Sequence, residues 1–191
     1  AWVIGINAAL YGLSLVLNLR EASFSLNPMD FLSPSSSSLS LLGATGRIPI
    51  DRVLLSVSGI PAIDHALRWL TLISANYLHG SLLHIIFNML VLRQIGGLAA
   101  REYGPYRMFA IYTISGVIGF GVSYLAGVAL TIGASAAVCG LIGAMVYFGR
   151  DRGGEYGNYI YRQIGGWAVG LLIIGFLPGI NNWGHGGGFV A

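Results

Sequence analysis

Ser135 and His185 are the residues whose types could supply a nucleophile and its base. Ser135 sits in Thr131-Ile132-Gly133-Ala134-Ser135-Ala136-Ala137-Val138-Cys139-Gly140, and His185 in Asn182-Trp183-Gly184-His185-Gly186-Gly187-Gly188. A serine hydroxyl attacks a carbonyl once a histidine within about 2.6–3.2 Å takes its proton. His84 and Asn88 form a second pair. Four residues apart, they share one helix face. Both can donate a hydrogen bond, and donors aimed at a developing oxyanion are worth several kcal/mol each in a water-poor site.

All four residues lie in or beside apolar runs. Hydroxyls and imidazoles in a bilayer are costly unless paired, which makes them functional candidates. Plainer readings stand beside this one. Gly133, Ala134, Ala136, Ala137 and Gly140 around Ser135 also suit close helix packing, and a His–Asn pair can satisfy itself across helices. A histidine at a membrane interface is often simply solvated. What favours chemistry is that three separate segments bring polar groups to a similar depth.

A third catalytic member is not expected. The seven acids are Glu21, Asp30, Asp51, Asp64, Glu102, Asp151 and Glu155, and none falls inside an apolar run. A Ser–His dyad is therefore expected, without the aspartate of a triad. The same absence argues against an aspartyl intramembrane protease and a carboxylate-based proton transporter. His79 precedes His84 by five residues, a rotation of about 140° on a helix of 3.6 residues per turn. It is expected to point elsewhere, which leaves a zinc site of His79, His84 and His185 as a minority reading. Cys139, one turn after Ser135, reads as an inert small hydrophobe, the usual state of a buried thiol away from positive charge.

The elements that must carry these groups are membrane helices. The chain is 55% hydrophobic and 9% charged, against about 25% charged in soluble domains. At 191 residues it reads as one domain. Its 29 glycines suit close helix contact in lipid. The net charge of +3 comes from ten arginines that flank the apolar runs. They form no basic–aromatic cluster, so nucleic acid is not an expected partner. The single Cys139 excludes an internal disulfide.

A span needs about 20 apolar residues. Candidates are 1–19, about 79–99, 106–128, 131–149 and 162–180, with a sixth starting near 184. The first lacks a basic n-region and a cleavage site, so it reads as a span and not a signal peptide. Segment 20–78 reads as a long loop that can bury apolar pieces such as Val53-Leu54-Leu55 and Leu70-Thr71-Leu72-Ile73. The connections at 93–107 and 150–162 are arginine-rich, whereas those near 129–130 and 178–184 carry no charge. Arginine-rich loops stay inside, so the N-terminus is expected in the cytoplasm and the 20–78 loop and the site on the outer side. From Gly184 to Ala191 a helix rises about 12 Å, short of a bilayer core of about 30 Å. The natural chain is thus expected to continue past Ala191, the sixth helix being truncated here.

Together these segments resemble the rhomboid family of intramembrane serine proteases. His79-Gly80-Ser81-Leu82-Leu83-His84-Ile85-Ile86-Phe87-Asn88-Met89 is similar to the family's second-helix motif. Gly133-Ala134-Ser135 is similar to the start of its Gly-x-Ser-Gly motif, and Gly184-His185-Gly186-Gly187-Gly188 to its sixth-helix histidine with following glycines. The resemblance covers nearly the whole chain, 1–191, as a single membrane domain. It implies an all-α, six-helix core, a Ser135–His185 dyad, and an oxyanion site of His84, Asn88 and the Ser135 backbone N–H. It further implies that the 20–78 loop lies partly in the outer leaflet and that helix five gates substrate entry. Transmembrane protein substrates and membrane lipid are the implied partners; no cofactor is implied. Ala136 stands where the family usually has a second glycine, and Cys139 where it often has an aromatic beside the histidine. Arg68-Trp69 reverses the order of a Trp-Arg loop motif. Two other functions stay open: a catalytically silent relative that binds transmembrane helices, and a channel or transporter, which the lack of intramembrane acids weakens.

Overall fold

The computed structural model describes residues 2–27, 30–51, 60–175 and 179–191. The apolar piece Val53-Leu54-Leu55 lies outside the described residues. Among the described residues the fold is all-α apart from a small antiparallel hairpin, β1 (Ser23–Phe24) and β2 (Phe31–Ser33). Helix α1 (Trp2–Val16) leads through the hairpin to four short helices: α2 (Ser36–Leu41), α3 (Arg47–Asp51), α4 (Pro61–Arg68) and α5 (Thr71–Ser74). A 3-10 turn at Ala75–Tyr77 ends this segment. Helix α6 (Leu82–Val91) then runs through a π-turn at Leu92–Gly96 into α7 (Gly97–Tyr103). Four longer elements follow: α8 (Pro105–Leu125), α9 (Ser135–Arg152), α10 (Gly154–Ile174) and α11 (Asn182–Val190).

Local chemistry sets the boundaries. Ser81 caps α6, its Oγ accepting from the His84 N–H at 3.2 Å, and Asn181 caps α11 by accepting from the Gly184 N–H at 3.0 Å. Each satisfies an orphan donor of a first turn. Gly104 at φ 85° breaks the chain between α7 and α8, and Pro105 opens α8 with its φ already set. Gly153 and Gly154, at φ 60° and 63°, reverse it between α9 and α10. These turns are tighter than the sequence suggests. The expected connections 93–107 and 150–162 are largely helical, so Arg101, Arg150 and Arg152 sit on last turns. Helix α10 begins at Gly154 instead of near 162, because one glycine turn suffices and the polar stretch that follows continues as helix.

Among the described residues, two continuous helices are long and apolar enough to cross a bilayer, Leu82–Tyr103 with 22 residues and Pro105–Leu125 with 21. At 1.5 Å per residue each measures a little over about 30 Å, the thickness of the hydrocarbon core. Helix α1 is a shorter apolar helix. The main core lies where α6 and α7 meet α8, α9 and α10, around the fully buried Tyr112, Leu141, Ile142 and Met145.

The described parts of segment 20–78 hold short helices and backbone pairings beyond those of a bare loop. Thr45 and Thr131 exchange backbone hydrogen bonds of 3.2 and 2.7 Å, and the Arg47 and Ile48 N–H groups donate to the Val128 and Ala129 carbonyls. Gly46 makes this approach feasible: at φ 128°, any Cβ would meet the Ala129 carbonyl oxygen at 2.7 Å. Arg68 donates to the Ile50 carbonyl at 2.7 Å and closes the segment on itself. The segment thus braces residues 128–131, which lead directly to Ser135.

Candidate active site

Ser135 is the first residue of α9. Its backbone N–H belongs to a turn whose donors have no partner within the helix, at the positive end of the helix dipole. Ahead of it, Gly133 turns at φ 120°, a conformation that L side chains rarely adopt. Helix α11 enters beside α8 and α9 and brings His185 Nε2 to 2.9 Å from Ser135 Oγ. Both residues are half-buried. Among the described residues, His185 Nδ1 has no hydrogen-bond partner. The pair therefore has the geometry of a nucleophile and a base, with no carboxylate behind the base among the described residues.

Glycine makes the close approach of α11 feasible. A Cβ on Gly188 would strike the Ala136 backbone, and one on Gly187 would meet Val122 at 2.9 Å and Gly119 at 3.1 Å. Gly186 faces open space. Ala136 is fully buried at this contact, where a Cβ added to Gly119 would meet its methyl at 3.0 Å. The extra methyl relative to the family's second glycine thus points into the helix contact.

His84 converges on the same place from α6. The Gly80 N–H donates to His84 Nδ1 at 3.3 Å. That bond makes Nδ1 the acceptor, so the neutral ring carries its proton on Nε2. A Cβ placed on Gly133 would lie 2.7 Å from His84 Nε2 and 3.8 Å from Ser135 Oγ. The space left by the missing side chain lies between a hydrogen-bond donor and the candidate nucleophile. Asn88 is buried on α6, and its Nδ2 donates to the His84 carbonyl at 2.9 Å, leaving one amide hydrogen for another acceptor.

One expectation is corrected. The His79 ring stands edge-on to His84 with centroids 5.0 Å apart. The 140° rotation assumed one helix through both residues, but α6 starts at Leu82 and His79 precedes its cap. Among the described residues no group of three or more histidine, cysteine or acidic side chains is placed to hold a metal. Cys139 is buried and free.

Sequence reasoning missed Asn181. Its Nδ2 donates to Ser123 Oγ at 2.7 Å and to Thr131 Oγ1 at 2.8 Å, while its Oδ1 caps α11. The available signal was an asparagine opening a helical run, a common N-cap.

Helices of membrane-spanning length, with a serine, two histidines and an asparagine gathered at their ends, define a membrane-associated helical protein. Residues 66–191 match the Rhomboid domain. The chain is 34% identical over 181 residues to RHOMBOID-like protein 4 of Arabidopsis thaliana, a match covering 90% of this chain and 39% of that protein. It is 32% identical over 168 residues to Rhomboid-type serine protease 2 of Emericella nidulans, covering 85% of this chain and 32% of the relative. It is also 32% identical over 177 residues to Inactive RHOMBOID-like protein 8 of Arabidopsis thaliana, covering 88% and 45%. The chain belongs to the rhomboid family and spans between about a third and a half of the length of these relatives.

Proposed function

We propose that this chain is an intramembrane serine endopeptidase that cleaves transmembrane-helix substrates near the outer membrane interface. The observation that carries the reading is the 2.9 Å contact between His185 Nε2 and Ser135 Oγ. Resemblance alone does not decide activity, since a serine protease and an inactive relative are equally similar to this chain. In the proposed reaction His185 Nε2 takes the Ser135 proton as Oγ attacks the scissile carbonyl. The oxyanion is received by the Ser135 N–H, His84 Nε2–H and the remaining Asn88 hydrogen. The proton passes from His185 to the leaving amine, and water then releases the acyl group by the same route in reverse.

In the proposed topology α1, α6 with α7, α8, α9, α10 and α11 form a six-helix membrane domain over residues 1–191. The turns at Gly104 and Gly153 lie at one end of these helices and the site at the other. Arginines 101, 107, 150 and 152 flank those turns, which supports a cytoplasmic placement for them and for the N-terminus. Segment 20–78 exposes Leu26, Leu41, Ile60, Leu67, Trp69 and Leu70, a pattern that supports contact with lipid. The test is cleavage of a single-span protein in liposomes, with labelling by a serine-reactive fluorophosphonate. Cleavage and labelling that both vanish in Ser135→Ala are expected. A folded wild-type protein that does neither would instead be a silent helix-binding relative.

A further inference from the structure

We propose that Asn181 is a positioning residue that holds the general base against the nucleophile, an assignment that rests on the hydrolase reading above. His185 Nδ1 has no partner among the described residues, so no third side chain there orients the imidazole as an aspartate does in a triad. Beyond its contact with Ser135, the ring is placed through its backbone. That backbone is tied to Asn181, whose carbonyl accepts from the His185 N–H at 3.1 Å.

The Asn181 side chain uses its whole hydrogen-bonding capacity as donor and cap. Its Oδ1 accepts from Gly184 in α11, and its two amide hydrogens go to Ser123 in α8 and to Thr131. Each partner is itself fixed. Ser123 is fully buried and donates to the Gly119 carbonyl at 2.9 Å, leaving its lone pairs to accept. Thr131 is buried and pairs through its backbone with Thr45. Thr131 lies four residues before Ser135, as Asn181 lies four before His185. One amide therefore joins the strand of chain that presents the nucleophile to the helix that presents the base. The 2.9 Å dyad contact closes the same ring of bonds.

A helix cap alone would need only the Gly184 bond. The two further bonds run to the other side of the dyad, and they predict a kinetic effect. In the full-length protein in liposomes, Asn181→Ala is expected to lower kcat by about 100-fold, the cost of a misplacement near 1 Å, with KM unchanged. Fluorophosphonate labelling slows in parallel. Asn181→Asp keeps the cap and can accept from both hydroxyls once they rotate, so it restores most of the rate. Should Asn181→Ala fail to fold, Thr131→Val removes a single arm at constant shape and carries the test: a lower kcat at unchanged KM supports the proposal. Wild-type kcat in Asn181→Ala or, failing that, in Thr131→Val would overturn it, as would equal losses in Asn181→Asp and Asn181→Ala. A wild-type protein that resists labelling would sink the hydrolase reading, and this proposal with it. A reactive wild type with an equally reactive Asn181→Ala would sink the proposal alone.

Discussion

Helices α8, α9 and α11 use glycine one way and α10 another. In the first three, several glycines mark close approaches between helices, although Gly121 and Gly186 face open space. A Cβ on Gly140 would strike Ser115, one on Gly143 the Phe189 carbonyl, and one on Gly188 the Ala136 backbone. On α10, Gly165, Gly166 and Gly170 have nothing within 4 Å of where a Cβ would stand. That helix is tight over its first two turns, where Gly149 meets Gly157 and Tyr161, and it buries Ile160 and Ile164. Farther along, Val169 and Ile173 are exposed, and a groove of about 270 Å³ opens between Phe87 on α6 and Trp167 on α10. Shape fixes the helices that carry Ser135 and His185, whereas the later half of α10 leaves open space around its glycines. On the proposed function that difference is useful, since a dyad needs sub-ångström placement and a substrate helix needs a side on which to enter.

The largest effect should come from the tight side. On the proposed function, Ser135→Ala is expected to lower cleavage by at least about 10⁴-fold, as loss of the nucleophile does in serine hydrolases. The melting temperature should hardly move, because a half-buried hydroxyl is replaced by a methyl. Measurable turnover near the wild-type rate would remove Ser135 from the mechanism. It would also leave the close packing of α8, α9 and α11 without a catalytic purpose.

His84→Ala should follow, with a loss of about 10²–10³ in kcat and little change in KM, the signature of a donor acting in the transition state. Asn88→Ala should cost less, because its amide already donates to the His84 carbonyl. Side-by-side kinetics decide the order. A larger effect at Asn88 would mean that its amide swings away from the helix when substrate binds.

Much of this site could be read from the residue string. Ser135, His185, His84 and Asn88 announce themselves by being polar in apolar runs, and helix periodicity places the last two on one face. The Ser135–His185 contact needed the tertiary fold, since 50 residues separate its partners. The role of segment 20–78 in bracing residues 128–131 was hidden, because backbone pairing between Thr45 and Thr131 leaves no trace in side-chain type. Asn181 was hidden for another reason: next to Asn182 and a glycine run it looks like ordinary loop composition. Turns were misjudged where single glycines at positive φ did the work of longer connections, at Gly104 and Gly153.

The smallest effects test the two uses of glycine directly. Gly188→Ala puts a methyl into the Ala136 backbone, which cannot rotate away as a side chain can. Overpacking of this kind costs about 1–3 kcal/mol, and here it should also push α11 off α9 and lower the cleavage rate. Gly165→Ala adds the same methyl where nothing stands within 4 Å. It removes only the backbone freedom of glycine in the unfolded chain, so it should stabilise by about 0.4–1 kcal/mol and leave cleavage unchanged. Thermal unfolding and cleavage measured on both variants in one detergent give the comparison. Equal destabilisation would mean that α10 is as tightly packed as α11 in the membrane. A neutral Gly188→Ala would mean that α11 can shift without disturbing His185, and the tight packing would then not be what holds the dyad.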